Sequence, residues 1–505
     1  MNPHEYSRRY HSRRRNRRLK QASVIAGCAA LLFTCGVGAA FLGGKLLDRP
    51  SLLPIGTTAS SGPASLLTPE AVPAGSQSPD QQDAGSTGPE ADISIPDESV
   101  PETGASGRPV FPDTPAGRLL AQADLLAAGY DYDRAIEVLQ SDPDLAGDPD
   151  ILAAVSQYES IKSTLVKASV SKITHVFFHS LVADNSKAFD GDEDEPGYNQ
   201  VMTTISEFNK ILNTMYEKGY VLVRLHDMAY ETTDENGKTV MKPGTIMLPE
   251  GKIPFVMSQD DLCYYPYMDG DGFATRIVIG EDGYPTCEMK MEDGTISTGD
   301  YDLVPILERF IQEHPDFSYK GARAVLAFTG YEGILGYRTS SAYVDSPTYE
   351  QDRQEAAKVA QCLKDHGWEL ASHSWGHLDL GTVEMERFLA DTDKWENQVD
   401  SLIGPTDIIL FPFGADVGDW HPYTTDNERF NYLYKCGFRY FCNVDSNQYW
   451  VQIGDNYMRQ GRRNLDGYRM WKDITADEPS KRKLDDLFRA EDVFDPDRPT
   501  PVPDM

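Results

Sequence analysis

Between residues 173 and 444 short apolar runs alternate with amphipathic stretches of helical length, and this alternation restricts the fold more than any other feature. Residues 173–179, 220–225, 253–257, 322–329, 369–371, 408–411 and 439–444 read as buried strands. Residues 199–218, 303–314, 351–366, 384–403 and 428–435 read as the helices between them, the first ended by Gly219 as its C-terminal cap. Buried strands alternating with helices predict an α/β fold, a parallel sheet or barrel. Chemistry in such folds gathers at the carboxyl ends of the strands. Asp260-Asp261, His373, Pro412-Phe413-Gly414 and Asp445 all fall at such ends, after four different strands.

Asp260-Asp261 closes the run Ile253-Pro254-Phe255-Val256-Met257. Two adjacent carboxylates raise each other's proton affinity unless a cation or a donor compensates. Further on, Ser372-His373-Ser374-Trp375-Gly376-His377 follows another strand-like segment. One carboxylate and two imidazoles make a three-ligand set for a divalent metal, with a position left for water. The second carboxylate is then free to act as a base. Taken singly, an Asp-Asp pair can cap a turn and a His-x-x-x-His pair can be structural; both together at strand ends point to metal.

These residues resemble the polysaccharide deacetylase family (carbohydrate esterase family 4, the nodulation-deacetylase homology domain) over roughly 173–475. Asp260-Asp261 looks like its Thr-Phe-Asp-Asp motif, and His373-Ser374-Trp375-Gly376-His377 matches its His-Ser/Thr-x-x-His motif. Phe178-His179-Ser180, Leu410-Phe411-Pro412-Phe413-Gly414 and Val444-Asp445 resemble its opening, Arg-x-Pro-Tyr-Gly and Asp–Trp elements. The resemblance implies a deformed (β/α) barrel that removes acetyl groups from N-acetylglucosamine-type polymers, or O-acetyl groups from some glycans. It implies Asp261, His373 and His377 as ligands of zinc, or of cobalt, manganese or nickel, with Asp260 as base toward a metal-bound water. Tyr264, Trp375, Pro412, Phe413 and Asp445 are the expected substrate-binding residues, with Phe411 and Trp420 as further candidates for an acetyl pocket or sugar platform. The oxyanion is expected against the metal and a backbone N–H near Cys263 or Tyr264.

Two elements of the pattern are replaced. Leu410 stands where the family has arginine, and no Leu-x-His follows; that region reads Tyr457-Met458-Arg459-Gln460-Gly461-Arg462-Arg463-Asn464. Arg459, Arg462 or Arg463 is expected to restore the charge beside Asp260, and His179 or His421 to supply a proton, although His179 also reads as an ordinary strand-end histidine. These departures set a second reading beside the first: a degenerate deacetylase-like domain that binds glycan or scaffolds the cell envelope.

The flanks set the location. Residues 1–21 form a basic tail, and 22–44 carry no charge, long enough for a membrane helix. Arginines on the N-terminal side place that end in the cytoplasm and the remainder outside; a cleaved signal peptide is the alternative. Residues 45–113, rich in Ser, Pro, Gly, Asp and Thr, read as a disordered linker. Residues 114–168 read as a small helical module like a tetratricopeptide hairpin, with a protein partner as one reading. Residues 169–475 read as the deacetylase-like domain, with a hairpin insert at 266–300, and 476–505 as a C-terminal segment with one charged amphipathic helix at 480–493 and a tail. Residues 1–49 carry +8 within a total of −32, so the body carries −40, which argues against nucleic acid as a partner. The expected partners are therefore the membrane and an acetylated polysaccharide, peptidoglycan or another N-acetylglucosamine polymer. Beyond Cys28 and Cys35 in the membrane segment, five cysteines match no zinc knuckle; a Cys263–Cys287 bridge is one reading.

Overall fold

The structure is a computed structural model that describes residues 108–504. The expected basic tail, the membrane segment at 22–44 and the linker up to residue 107 lie outside the described residues. Among the described residues no helix is long and apolar enough to cross a membrane. Of residues 108–113, read as the end of the linker, Arg108 is paired with Asp124 and Phe111 packs against a buried cluster, while the other four are exposed.

Seven parallel strands form a closed barrel: β1 (Thr174–Phe178), β2 (Ile253–Gln259), β3 (Val325–Phe328), β4 (Glu369–Ser372), β5 (Ile408–Leu410), β6 (Tyr440–Val444) and β7 (Met458–Asn464). They pair in chain order from β2 to β7, and β7 pairs β1, which closes on β2. The barrel is deformed at β2. Its first residues pair with the short strand Tyr220–Leu222, and only Ser258 and Gln259 reach β3. Inward positions include Val256, Ala327, Ala371, Leu410, Cys442 and Met458. Outward positions such as Phe178, Met257, Phe328, Ile409 and Phe441 belong to the core shared with the surrounding helices.

β7 is the one barrel strand that is absent from the strands read in the sequence. Its Met-Arg-Gln-Gly-Arg-Arg-Asn sequence looks solvated, yet Arg459, Arg462 and Arg463 are all buried. Each is neutralised by a carboxylate from elsewhere: Asp416, Asp260 and Asp486 respectively. The helix read at 199–218 is two, Glu195–Val201 and Ile205–Glu217, because Thr204 starts the second with a capping box to Glu207. The single charged helix read at 480–493 does not form. The carboxylate of Asp473 takes the backbone N–H groups of Lys483 and Leu484, and Arg463 takes the carbonyl of Lys483, so the segment keeps only a 3-10 turn at Pro479–Lys481 and the short α-helix Ala490–Val493.

Residues 276–299 form a three-stranded antiparallel meander, Arg276–Ile279, Pro285–Lys290 and Ile296–Gly299. Cys263 and Cys287 are separate buried thiols, so the bridge across this insert is absent. The helices Pro115–Ala128, Tyr132–Leu139 and Pro149–Thr164 share one buried cluster with the inward residues of the barrel. Their apolar face is thereby covered by the barrel itself.

Candidate metal centre

The carboxyl end of β2 delivers Asp260 and Asp261, and the end of β4 delivers His373 and, one loop on, His377. One ligand atom from each of Asp261, His373 and His377 lies within 4.8 Å of the others. His377 Nε2 stands 3.5 Å from Asp261 Oδ2. His373 Nδ1 is 2.6 Å from the carbonyl oxygen of Leu410, so Nδ1 holds the proton and Nε2 is left as an electron-pair donor. Burial pushes the His373 pKa down to about 4, which keeps the ring neutral, the form a metal requires. The Tyr265 hydroxyl donates to Asp261 Oδ1 at 2.7 Å and fixes that carboxylate. One carboxylate and two imidazoles, with Asp261 oriented by Tyr265 and His373 by the Leu410 carbonyl, suit zinc or another borderline divalent ion with an open position.

Asp260 is 3% exposed. Burial by itself would raise its pKa; Arg462, with Nη1 2.6 Å from Oδ1, reverses this together with His373 and His179. The carboxyl is held well below the usual carboxylate range. Arg459 and Arg463 do other work. Arg459 ties down the loop after β5 through Asp416 and the carbonyls of Asp419 and His421, and Arg463 holds Asp486.

The backbone around the centre is strained. Eight non-glycine residues among those described have positive φ, and Asp261, Tyr264, Ser374, His377 and Phe413 are five of them. Such conformations persist only where their surroundings impose them, and they gather at functional sites. Here Asp391, on the helix Met385–Trp395, accepts from the N–H groups of Trp375 and Gly376 at 2.9 and 2.7 Å and sets the loop carrying His377. Burial raises the Asp391 pKa to about 6. Gly330 is needed at this point, because a Cβ there would lie 2.3 Å from Trp375 Cδ1.

The remaining expected residues separate into two groups. Phe413 meets His377 edge to face at 4.5 Å and lies at the centre. Pro412 is buried beneath it, and Asp445 ends β6 beside the Arg462 strand, its carboxylate capping Asn447 N–H. Trp375 is half-buried on the His377 loop, with Lys394 4.4 Å above its ring. Tyr264 is turned away: its ring is buried and its hydroxyl donates to Asp302 at 2.7 Å, so it presents no surface to a ligand. Phe411 is likewise buried on the outer face of the barrel. The Cys263 N–H is committed to the Asp261 carbonyl at 2.6 Å and is not a free oxyanion donor. Trp420 and His421 are exposed, and the His421 ring faces the Asp419 carboxylate.

His179 lies one residue past β1. Register pairs Phe178 with Gln259 and Asn464 with Phe177, so the next step sets His179 in a row between Asp260 and Asp466. Its ring lies within electrostatic reach of both carboxylates. Its Nδ1 lies 3.2 Å from the Val201 carbonyl and donates there, which leaves Nε2 uncommitted to that bond. Sequence reasoning missed Tyr265, Asp391 and Asp466. Four-residue spacing from Asp261 is the only trace of Tyr265, and nothing local marks the other two.

No protein-family model matches this chain, and no curated protein matches it. Among solved structures, it is similar to the deacetylase PplD of Streptococcus pyogenes in complex with acetate. That match has 11% identity, covers 60% of this chain and 94% of that one, and has a TM-score of 0.32. Similarity at this level carries no functional weight, which rests on the geometry above.

Proposed function

We propose that this protein is a metal-dependent deacetylase of the polysaccharide deacetylase type, acting on N-acetylated or O-acetylated cell-envelope polysaccharide. The observation that supports it is the convergence of Asp261, His373 and His377 beside a buried, arginine-paired carboxylate, Asp260. A divalent ion held by those three residues would acidify a water and polarise an acetyl carbonyl. Asp260 accepts the proton of the attacking water. Arg462 keeps Asp260 ionised and aimed, and Phe413 forms an apolar wall at His377 for the acetyl methyl. His179, between Asp260 and Asp466, donates a proton to the departing nitrogen, replacing the late-motif histidine that this chain lacks. The N-terminal segment anchors the protein in the cell membrane with this domain outside.

Metal analysis of the full-length protein combined with acetate release from acetylated chito-oligosaccharide tests the reading. Bound zinc or a related ion, and acetate release abolished by Asp260→Asn, are the expected results; metal-free, inactive protein would refute it. His179→Gln should lose amide turnover and retain hydrolysis of an activated aryl acetate, whose leaving group needs no proton.

The second reading, a glycan-binding domain without turnover, draws on one observation. The ion pair that keeps Asp260 charged also makes it a weak base. Glycan binding with metal present and no acetate released would establish it.

A further inference from the structure

Beneath Asp260 the barrel interior holds a row of buried polar side chains where branched apolar layers are usual. Arg462 Nη1 lies 2.6 Å from Asp260 Oδ1 and 3.3 Å from Ser258 Oγ. Ser258 Oγ lies 3.0 Å from His175 Nε2. His175 Nδ1 lies 3.2 Å from Gln460 Oε1, and Gln460 Nε2 lies 3.0 Å from the Ile173 carbonyl. Asp260, Arg462, Ser258, His175 and Gln460 are each no more than 3% exposed.

The Ile173 carbonyl can only accept, so Gln460 gives it the Nε2 amide and turns Oε1, an acceptor, to His175. His175 Nδ1 therefore carries the proton and donates to Gln460 Oε1. In the neutral ring Nε2 then has no proton and accepts from the Ser258 hydroxyl. A lone pair of Ser258 Oγ accepts in turn from Arg462 Nη1, which can only donate. Burial and the Arg462 charge keep His175 neutral, consistent with that tautomer. Among the described residues Arg462 Nε and Nη2 have no hydrogen-bond partner. The guanidinium is therefore fixed by Asp260 and Ser258, with the Phe177 ring 4.5 Å beneath it. Without Ser258 it would be held by the very carboxylate it has to orient.

We infer that Ser258 and His175 are positioning residues that hold the Arg462 guanidinium in place against Asp260, with Gln460 fixing the histidine tautomer. The inference rests on Asp260 being the base. Buried polar groups are costly unless fully bonded, and a chain satisfied in only one sense of donation specifies one arrangement.

Two measurements on the full chain test it. In ¹⁵N-histidine NMR, the resonance lost in His175→Gln should report a neutral ring protonated at Nδ1; protonation at Nε2 would overturn the inference whatever the activity. In kinetics, His175→Met has similar length but no acceptor, whereas His175→Gln keeps an oxygen near the Nε2 position. His175→Met and Ser258→Ala should lower kcat for acetate release about tenfold or more, with KM and bound metal unchanged, while His175→Gln stays within about twofold of wild type. Equal losses in the Met and Gln variants, or unchanged kcat in both, would overturn the positioning role while leaving the deacetylase reading intact. A wild-type protein that releases no acetate would instead remove that reading, and the positioning role with it.

Discussion

Replacing Arg462 by Met gives the sharpest test of how the site is held together. The guanidinium and the Asp260 carboxylate have side-chain exposures of 0% and 4% and are 2.6 Å apart. Removing one partner of such a pair leaves an uncompensated buried charge, which costs about 3–5 kcal/mol. Met fills much of the vacated volume, so little of that loss is a cavity effect. The sign with pH follows from the carboxyl. In the wild type its folded pKa is depressed, so its contribution is present above the unfolded value of about 3.9 and is lost as pH falls through the folded value. In Arg462→Met the burial term is no longer opposed by the arginine, the folded pKa rises, and the deficit against wild type is largest at neutral pH and shrinks toward pH 4. Guanidinium denaturation at both pH values measures this. The double variant Asp260→Asn/Arg462→Met removes the stranded charge and should return to within about 1.5 kcal/mol of wild type. A single variant within about 1 kcal/mol of wild type at neutral pH, or a double variant no better than the single, would refute the account.

Chelation should lower the thermal midpoint, because an ion at one hundred times its Kd adds about 2.7 kcal/mol to the folded state; His377→Ala should abolish the difference between chelated and metal-loaded protein in a thermal scan. At the opposite end of the barrel, burial disfavours the charged His226 ring, but hydrogen bonds to Asp407 and Glu369 outweigh it and raise the pKa to about 10. That contribution is complete below about pH 6.5 and is lost as pH rises toward about 10. The ring is half-exposed, so solvent screening keeps the loss modest; His226→Gln should flatten the alkaline side of the stability–pH curve. Arg498, in the C-terminal segment, pairs with Glu207 where both side chains are 0% exposed, so Arg498→Met should destabilise by about 3–5 kcal/mol and open the tail to limited proteolysis.

The sequence by itself determined the alternation that builds the barrel and the identity of the candidate ligands, Asp261, His373 and His377. Both are legible because they are local: apolar runs have a period, and ligands cluster in short motifs at strand ends. Tertiary structure alone decided which arginine meets Asp260. Arg459, Arg462 and Arg463 are near neighbours in the chain, but strand alternation turns the middle one into the barrel and the other two outward. It also decided that residues 458–464 form a strand at all. Three buried charges look prohibitive until the carboxylates of Asp260, Asp416 and Asp486 arrive from distant elements. The same holds for Tyr264, whose position beside the aspartates suggested a ligand-facing ring, and which the Asp302 carboxylate draws into the core. Metal-ligand motifs are encoded over a few residues, whereas the compensation of buried charge depends on where the closed barrel brings distant strands together.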